Sequence, residues 1–289
     1  MFSWAPPADT ATVDHDDGFN LFDLPFADLN FDFSIADLNY HRYLIEDFDL
    51  KGRMQKDHFI YIDTMSLVAG GGRMDLKGYF NGSDPDQIYF SPDMSVENID
   101  LDKLLFKFDN SGQDQLISDN LHGRLSGRVN GKIHMHPDLI PATDVSALTM
   151  DIEVVDGSLV NFTPFEALGN YFTDKNLKQV RFDTLKNELR LENGELIIPN
   201  MNINTSLGYF EIAGRQGIDL NMNYTMRVPV KVVTRAGLQR LFTKRQEIDE
   251  DQIDDIVYRD ESKNTRFISV NITGTPDDYE VNLGKKNAP

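Results

Sequence analysis

Apolar and polar residues alternate with a period of two over most of this chain. Leu29, Phe31, Phe33 and Ile35 fall on one side of an extended segment, and Asn30, Asp32 and Ser34 on the other. That period marks a β-strand with one dry face. It returns at Met74, Leu76, Gly78 and Phe80, at Leu121, Gly123, Leu125, Gly127 and Val129, and at Met150, Ile152 and Val154. The longest run is Ile218, Leu220, Met222, Tyr224, Met226, Val228 and Val230, with polar residues at 219, 221, 223, 225 and 227. Phe267 to Ile272 and then Tyr279, Val281 and Leu283 close the series. The pattern predicts a mainly β protein: an elongated, twisted antiparallel sheet, or β-groove, with a few short helices.

Turn chemistry punctuates these runs. Asn81-Gly82, Asp156-Gly157 and Asn193-Gly194 are dipeptides that supply the positive φ of tight primed hairpin turns. Gly70-Gly71-Gly72 lies between two strand patterns and lacks the Gly-Lys-Ser/Thr ending of a phosphate loop, so it reads as a bend or bulge. Several runs close on apolar-x-Gly, at Gly52, Gly78, Gly127, Gly214 and Gly274, which reads as a strand ending. Asp49-Leu-Lys-Gly52 and Asp75-Leu-Lys-Gly78 are identical tetrapeptides and suggest repeated strand units.

Helical pattern is sparse. Asp100 can cap a short helix carrying Leu101, Leu104, Leu105 and Phe108. Thr163-Pro164-Phe165-Glu166 has the form of a capping box, followed by Phe165, Leu168 and Phe172 on one face. Arg235 to Val257 reads as one or two surface helices joined by a charged turn.

No internal Gly/Ser- or Pro-rich linker divides the chain. The expected organisation is an irregular acidic tail over 1–18 and one β domain over 19–289, with its weakest seam near 109–120. The net charge is -19, from 47 acidic and 28 basic residues. Such a surface repels phosphate backbones, so nucleic acid is not an expected partner. There is no cysteine among the 289 residues, which excludes disulfides, thiolate metal sites and cysteine nucleophiles. No apolar run reaches the roughly 18 residues of a membrane-spanning helix.

Residues that could carry chemistry are thin on the ground. His134 and His136 are spaced to share one side of a strand, but no third ligand is apparent, so no metal is expected and a solvent-facing pair is the plainer reading. Asp14, Asp16 and Asp17 lack the ligand spacing of a calcium loop. Pairs of carboxylates arise by chance among 47 acidic residues, so none is singled out as catalytic. No nucleophile elbow or kinase signature occurs. No catalytic residue and no cofactor is expected.

The dry faces themselves are the remaining functional candidate. A half-buried sheet needs one such face merely to form a core. Yet the dry faces are many and the helices available to cover them few, and an uncovered face becomes a groove. On this reading Ile218, Leu220, Met222, Tyr224, Met226 and Val228 line a lipid-holding surface. A carbohydrate-active β-solenoid enzyme and a structural or adhesive β-sandwich remain as alternatives.

Three segments carry a family resemblance. They are Asp156-Gly-Ser-Leu-Val-Asn-Phe-Thr-Pro-Phe-Glu-Ala-Leu168, Val180-Arg-Phe-Asp-Thr-Leu185, and Glu192 through Gly214 with Asn193-Gly194, Pro199, Ser206 and Gly208. Together they resemble the C-terminal region of AsmA-like proteins. Met65 to Gly78 is similar to that family's glycine-punctuated strand repeat, and Val96 to Leu105 to a short segment of the family with the same apolar spacing. The likeness runs over about residues 21–283. It implies a β-groove shared with bridge-like lipid-transfer proteins, holding the acyl chains of phospholipid. It also implies residence in the periplasm of a Gram-negative envelope, with lipid transport or outer-membrane maintenance as the role. Family members begin with a membrane-anchoring helix, so inner-membrane attachment would pass through a segment not found in this sequence.

Overall fold

The computed structural model describes residues 20–40, 43–105, 121–161, 176–230, 255–260, 265–275 and 278–283. Thirteen strands form one sheet: β1 (Leu29–Tyr40), β2 (Tyr43–Gln55), β3 (Phe59–Ala69), β4 (Gly72–Asn81), β5 (Ile88–Asp100), β6 (Leu121–Met135), β7 (Ala147–Val160), β8 (Gln179–Glu192), β9 (Glu195–Thr205), β10 (Gly208–Gly217), β11 (Met222–Pro229), β12 (Phe267–Gly274) and β13 (Tyr279–Leu283). Each strand pairs antiparallel with its neighbours in sequence, and the order runs from β1 to β13 without a crossover. The sheet is an open meander, as the alternation predicts. Twelve interstrand steps of about 4.8 Å make it roughly 58 Å long across the strands.

Two turns follow their dipeptides closely. Asn193 and Gly194, at φ 52° and 72°, join Glu192 to Glu195 as a two-residue hairpin. Gly70 and Gly71, at φ 58° and 74°, do the same between Ala69 and Gly72. Two other dipeptides behave differently. Asn81-Gly82 opens a longer loop that returns only at Ile88. Asp156-Gly157 lies inside β7, where Asp156 (φ 51°) forms a bulge rather than a turn.

The apolar-x-Gly motifs are also not strand ends. Gly52, Gly78, Gly127 and Gly214 lie within β2, β4, β6 and β10, and only Gly274 closes a strand. The registers explain their place. β3 spends the three steps from Ile62 to Met65 against two in β4, from Gly78 to Leu76. β5 does the same from Val96 to Ile99 against Gly127 to Leu125, and β9 from Ile198 to Met201 against Gly214 to Ile212. Each extra residue is a bulge that bends its strand and raises the local twist. A glycine faces each bulge because the next strand crowds in. A Cβ at Gly78 would meet the Ser91 carbonyl at 2.5 Å, and one at Gly127 the Asp151 carbonyl at 2.3 Å. The twin Asp-Leu-Lys-Gly tetrapeptides flank β3, with Gly52 and Gly78 both paired to Ile62. The repeat therefore encodes curvature, not termination.

The short helix α1 (Leu101–Leu105) follows β5 directly. Asp100 Oδ1 accepts from the Asp102 and Lys103 amides at 3.0 and 3.4 Å, which is the cap expected from sequence. The tail over 1–18, the seam over 109–120 and the helix expected from Thr163 to Phe172 fall outside the described residues. So does most of the stretch from Arg235. Its described end, 255–257, is not helical and continues as a segment without helix or strand to 260. It lies against β9 instead, with the Val257 amide donating to the Thr205 carbonyl at 2.9 Å.

The contiguous core sits on one face of β7 to β12. Phe182, Phe210, Val180, Ile203, Val154, Met226, Val228 and Ile272 are its most deeply buried members, and Leu101 of α1 joins them.

Candidate functional site

The site is built from the face that the alternation marks as dry. The registers carry one face unbroken along the sheet. Phe33 pairs with Leu50, Leu50 with Met65, Met65 with Leu76, Leu76 with Met94, and Met94 with Val129. Val129 continues to Met150 and Leu189. Outside the bulges, every paired position on this inner face of β1 to β6 is apolar or glycine. The glycines and bulges bend that surface, and its walls are mostly Leu, Ile, Met and Phe.

Burial changes along the face while its chemistry does not. Phe33 is 51% exposed and Leu29 40% on β1. Leu50, Ile62, Met65, Leu76, Phe80, Phe90 and Met94 are half-buried, while Ala69 at the end of β3 and Ile88 and Val96 on β5 are already buried. From β8 onward the same face is closed: Leu185, Leu189, Ile203, Phe210 and Val270 are buried.

The residues singled out from sequence fall at the closed end. Met222, Tyr224, Met226 and Val228 share the inner face of β11 and are fully buried. Ile218 and Leu220 do not join them. They lie in the turn between β10 and β11, where Leu220 has φ 65° and its amide donates to the Gly217 carbonyl at 3.0 Å. The reason is local. Gly217, Asp219 and Asn221 form a hydrogen-bonded turn, with Asp219 Oδ1 accepting from the Asn221 amide at 3.0 Å, and this chemistry interrupts the period-two run.

One polar pair interrupts the closed end. Tyr224 donates its hydroxyl to Gln216 Oε1 at 2.8 Å, and both side chains are buried. Burial raises the Tyr224 hydroxyl well above the ordinary tyrosine range. Among the described residues Gln216 Nε2 has no hydrogen-bond partner.

The opposite face is polar. Lys51 pairs with Asp32 at 3.0 Å, Arg73 with Asp75 at 2.7 Å, and Arg128 with Asp93 at 3.6 Å. The Arg73 guanidinium holds the Asp75 carboxyl below its usual range. An aromatic ladder crosses this face from Phe59 through Tyr61, Tyr79 and Tyr89 to His134, with ring centroids 5.8–6.2 Å apart. Arg53 lies over Tyr61 and Lys132 over Tyr89, so these two rings already carry a cation. Sequence reasoning missed the ladder because its members come from four strands and meet only across the registers.

A second cluster holds the 255–260 segment in place. Arg259 lies over the Tyr209 ring, donates to the Tyr209 hydroxyl at 2.9 Å and pairs with Glu211 at 3.6 Å, and Glu211 also binds Arg227. His134 stands on the polar face beside Tyr89, whereas His136 lies past the end of β6 with its amide donating to the Ile140 carbonyl at 2.9 Å. Among the described residues no three His, Asp or Glu side chains gather as metal ligands. No described helix is long and apolar enough to cross a membrane. What the arrangement can do is physical: it offers a long, bent, uncharged surface to apolar chains.

No protein-family model, no curated protein and no solved structure matches this chain.

Proposed function

We propose that the protein is a non-enzymatic lipid carrier whose trough is the inner face of β1 to β6. The observation that carries this reading is the partly exposed, uncharged stretch of wall that runs from Leu29 and Phe33 on β1 through Leu50, Met65 and Leu76 to Met94 on β5. An ordinary core closes such a face, and exposed apolar surface of this extent marks binding. The size fits acyl chains. Five interstrand steps span about 24 Å, and one leaflet of a bilayer gives its chains about 15 Å. Each methylene moved onto the wall gains about 0.8 kcal/mol, so a chain is held without any polar contact. The resemblance to AsmA-like proteins supports phospholipid as the cargo and the Gram-negative periplasm as the setting, with lipid transport or outer-membrane maintenance as the task.

The test is lipid retention. Protein purified without detergent is extracted and its lipids identified by mass spectrometry, and uptake of a fluorescent phospholipid from vesicles is measured. The wild type carries and takes up lipid. Leu50→Asp combined with Leu76→Asp leaves the strand signal in circular dichroism and abolishes uptake. Absence of both bound lipid and uptake in the wild type overturns the proposal in favour of a structural sheet.

A further inference from the structure

The two ends of the sheet are unlike each other. β13 is a five-residue edge, and short edges are one way that sheets avoid joining other sheets. β1 is a twelve-residue edge, Leu29-Asn-Phe-Asp-Phe-Ser-Ile-Ala-Asp-Leu-Asn-Tyr40, with no proline, lysine or glycine in it. Among the described residues nothing pairs with its far side. Its inner-face side chains are also the most exposed large apolar groups on the wall, with Phe33 at 51%, Leu29 at 40% and Ile35 at 37%. Its alternation is regular from Leu29 to Ile35 and is interrupted at Ala36, opposite Asp47 (φ 47°). A long edge flanked by exposed apolar side chains is a template for another strand.

We propose that β1 pairs with β1 of a second copy, antiparallel about a two-fold axis perpendicular to the sheet. That axis keeps the apolar faces of the two copies on the same side, so the two walls continue as one. Side-chain alternation limits the register, because inner positions must face inner positions. Any register that sets a residue opposite its own copy obeys it; the one on Ile35 would set Phe33 against Asp37, and two others keep the apolar side chains together. With Phe33 opposite its own copy, Phe31 meets Ile35 and Asp32 meets Ser34. With Ser34 opposite its own copy, Phe33 meets Ile35 and Asp32 meets Ala36. Neither sets Asp32 against Asp32, and both cover Phe33 and Ile35 with apolar neighbours.

The occupant is a second copy because the edge is self-complementary. The unequal edges make the assembly closed: the long edges consume each other and the short β13 edges do not propagate it. The opposing force is charge. Each copy carries -19, so association strengthens as salt screens the repulsion.

The absence of cysteine from the sequence makes the test clean. Single-cysteine variants at Phe33, Ser34 and Asn282 are oxidised, and the full chain is followed by analytical ultracentrifugation at low and high salt. The expected result is a monomer–dimer equilibrium, without larger species, that tightens at least several-fold at high salt. Ser34→Cys or Phe33→Cys crosslinks as a dimer, and Asn282→Cys on β13 does not. Phe33→Asp shifts the protein to monomer while its melting temperature stays within a few degrees of the wild type, which separates loss of pairing from loss of fold. A chain that is monomeric at every salt and concentration overturns the proposal. So does crosslinking at Asn282 equal to that at Ser34. Capture of a different strand-forming protein by a monomeric chain overturns it too, since the edge would then serve a foreign strand.

Discussion

The first six strands and the strands from β8 to β12 share one face and one alternation, yet they end in opposite states. Phe33 on β1 is 51% exposed, and Phe210 on β10 is 0% exposed. Both are phenylalanines at inner positions of long strands. The residue is therefore not what differs: β1 is an edge strand with one neighbour, whereas β10 lies between β9 and β11 inside the contiguous core. Period-two patterning specifies which side is dry, not whether that side is closed. In this molecule one pattern makes a wall at one end and a core at the other, and the comparison can be broken by placing the same change at both ends.

The largest expected effect is at the closed end. Met226 is 2% exposed among Ile212, Tyr224, Val228 and Val270. Met226→Asp buries an unpaired charge and should cost about 4 kcal/mol. Urea unfolding is the measurement, and the variant should be largely unfolded without denaturant or show a midpoint far below the wild type. If the midpoint barely moves, the closed end is open in solution and the contrast with β1 fails.

Curvature is tested next, with a smaller effect. A Cβ at Gly157 would lie 2.2 Å from the Phe182 ring, which is itself buried. Gly157→Ala should therefore cost about 1–3 kcal/mol through overpacking. The paired variant Gly157→Ala with Phe182→Leu should recover part of that loss, because it removes the ring that the new methyl strikes. Thermal unfolding of the single and double variants reads the coupling.

The sequence carried much of this fold and little of its closure. Alternation alone placed most strands, because every strand here pairs with its chain neighbours and needs no long-range choice of partner. Asn193-Gly194 was legible as a hairpin because two residues with positive φ decide such a turn locally, whereas Gly70-Gly71, read as a bend or bulge, is a hairpin of the same kind. Asp156-Gly157 was not, since the same dipeptide serves a bulge when the strands on both sides continue past it. The apolar-x-Gly motifs misled in the same direction. Their glycines answer to a neighbouring strand's carbonyl, at 2.4 Å for Gly214 and Asn223, and no local pattern shows that neighbour. The candidate wall was half legible. Met222, Tyr224, Met226 and Val228 do share a face, but the exposed wall lies at β1 to β6. Strand periodicity is blind to that choice.

A pH dependence at the closed end follows from Tyr224. Its hydroxyl titrates in the folded chain above the unfolded value near 10, because burial disfavours the phenolate. A raised folded pKa adds stability that is fully present below about pH 10 and is lost as pH rises beyond it toward the folded value. Stability should thus fall in the alkaline range, and Tyr224→Phe should flatten that part of the profile. The substitution also leaves Gln216 Oε1 unpaired, so its neutral-pH stability should drop modestly, by about 1 kcal/mol. Unfolding midpoints from pH 8 to 11.5 separate the two effects. A profile of unchanged shape in Tyr224→Phe would place the alkaline loss elsewhere.

The smallest expected effect on stability is at the open wall, and it is the one that sharpens the comparison most. Leu50 and Leu76 are half-buried on β2 and β4, and water reaches the face they line. A carboxylate introduced at either position can turn toward that water, so it escapes most of the penalty that Met226→Asp incurs. Each of Leu50→Asp and Leu76→Asp should cost about 1 kcal/mol, several-fold less than the same change at Met226. Their effect on an apolar ligand should run the other way. A chain lying across Leu50 or Leu76 must desolvate the new charge, so uptake of a fluorescent phospholipid should fall at least tenfold, while any residual uptake by folded Met226→Asp protein should be near that of the wild type. Stability loss at 226 without ligand loss, and ligand loss at 50 and 76 without stability loss, is the double dissociation that a wall and a core predict. If the three variants instead lose stability alike, the inner face of β1 to β6 is closed in solution, and the sheet is a core from end to end.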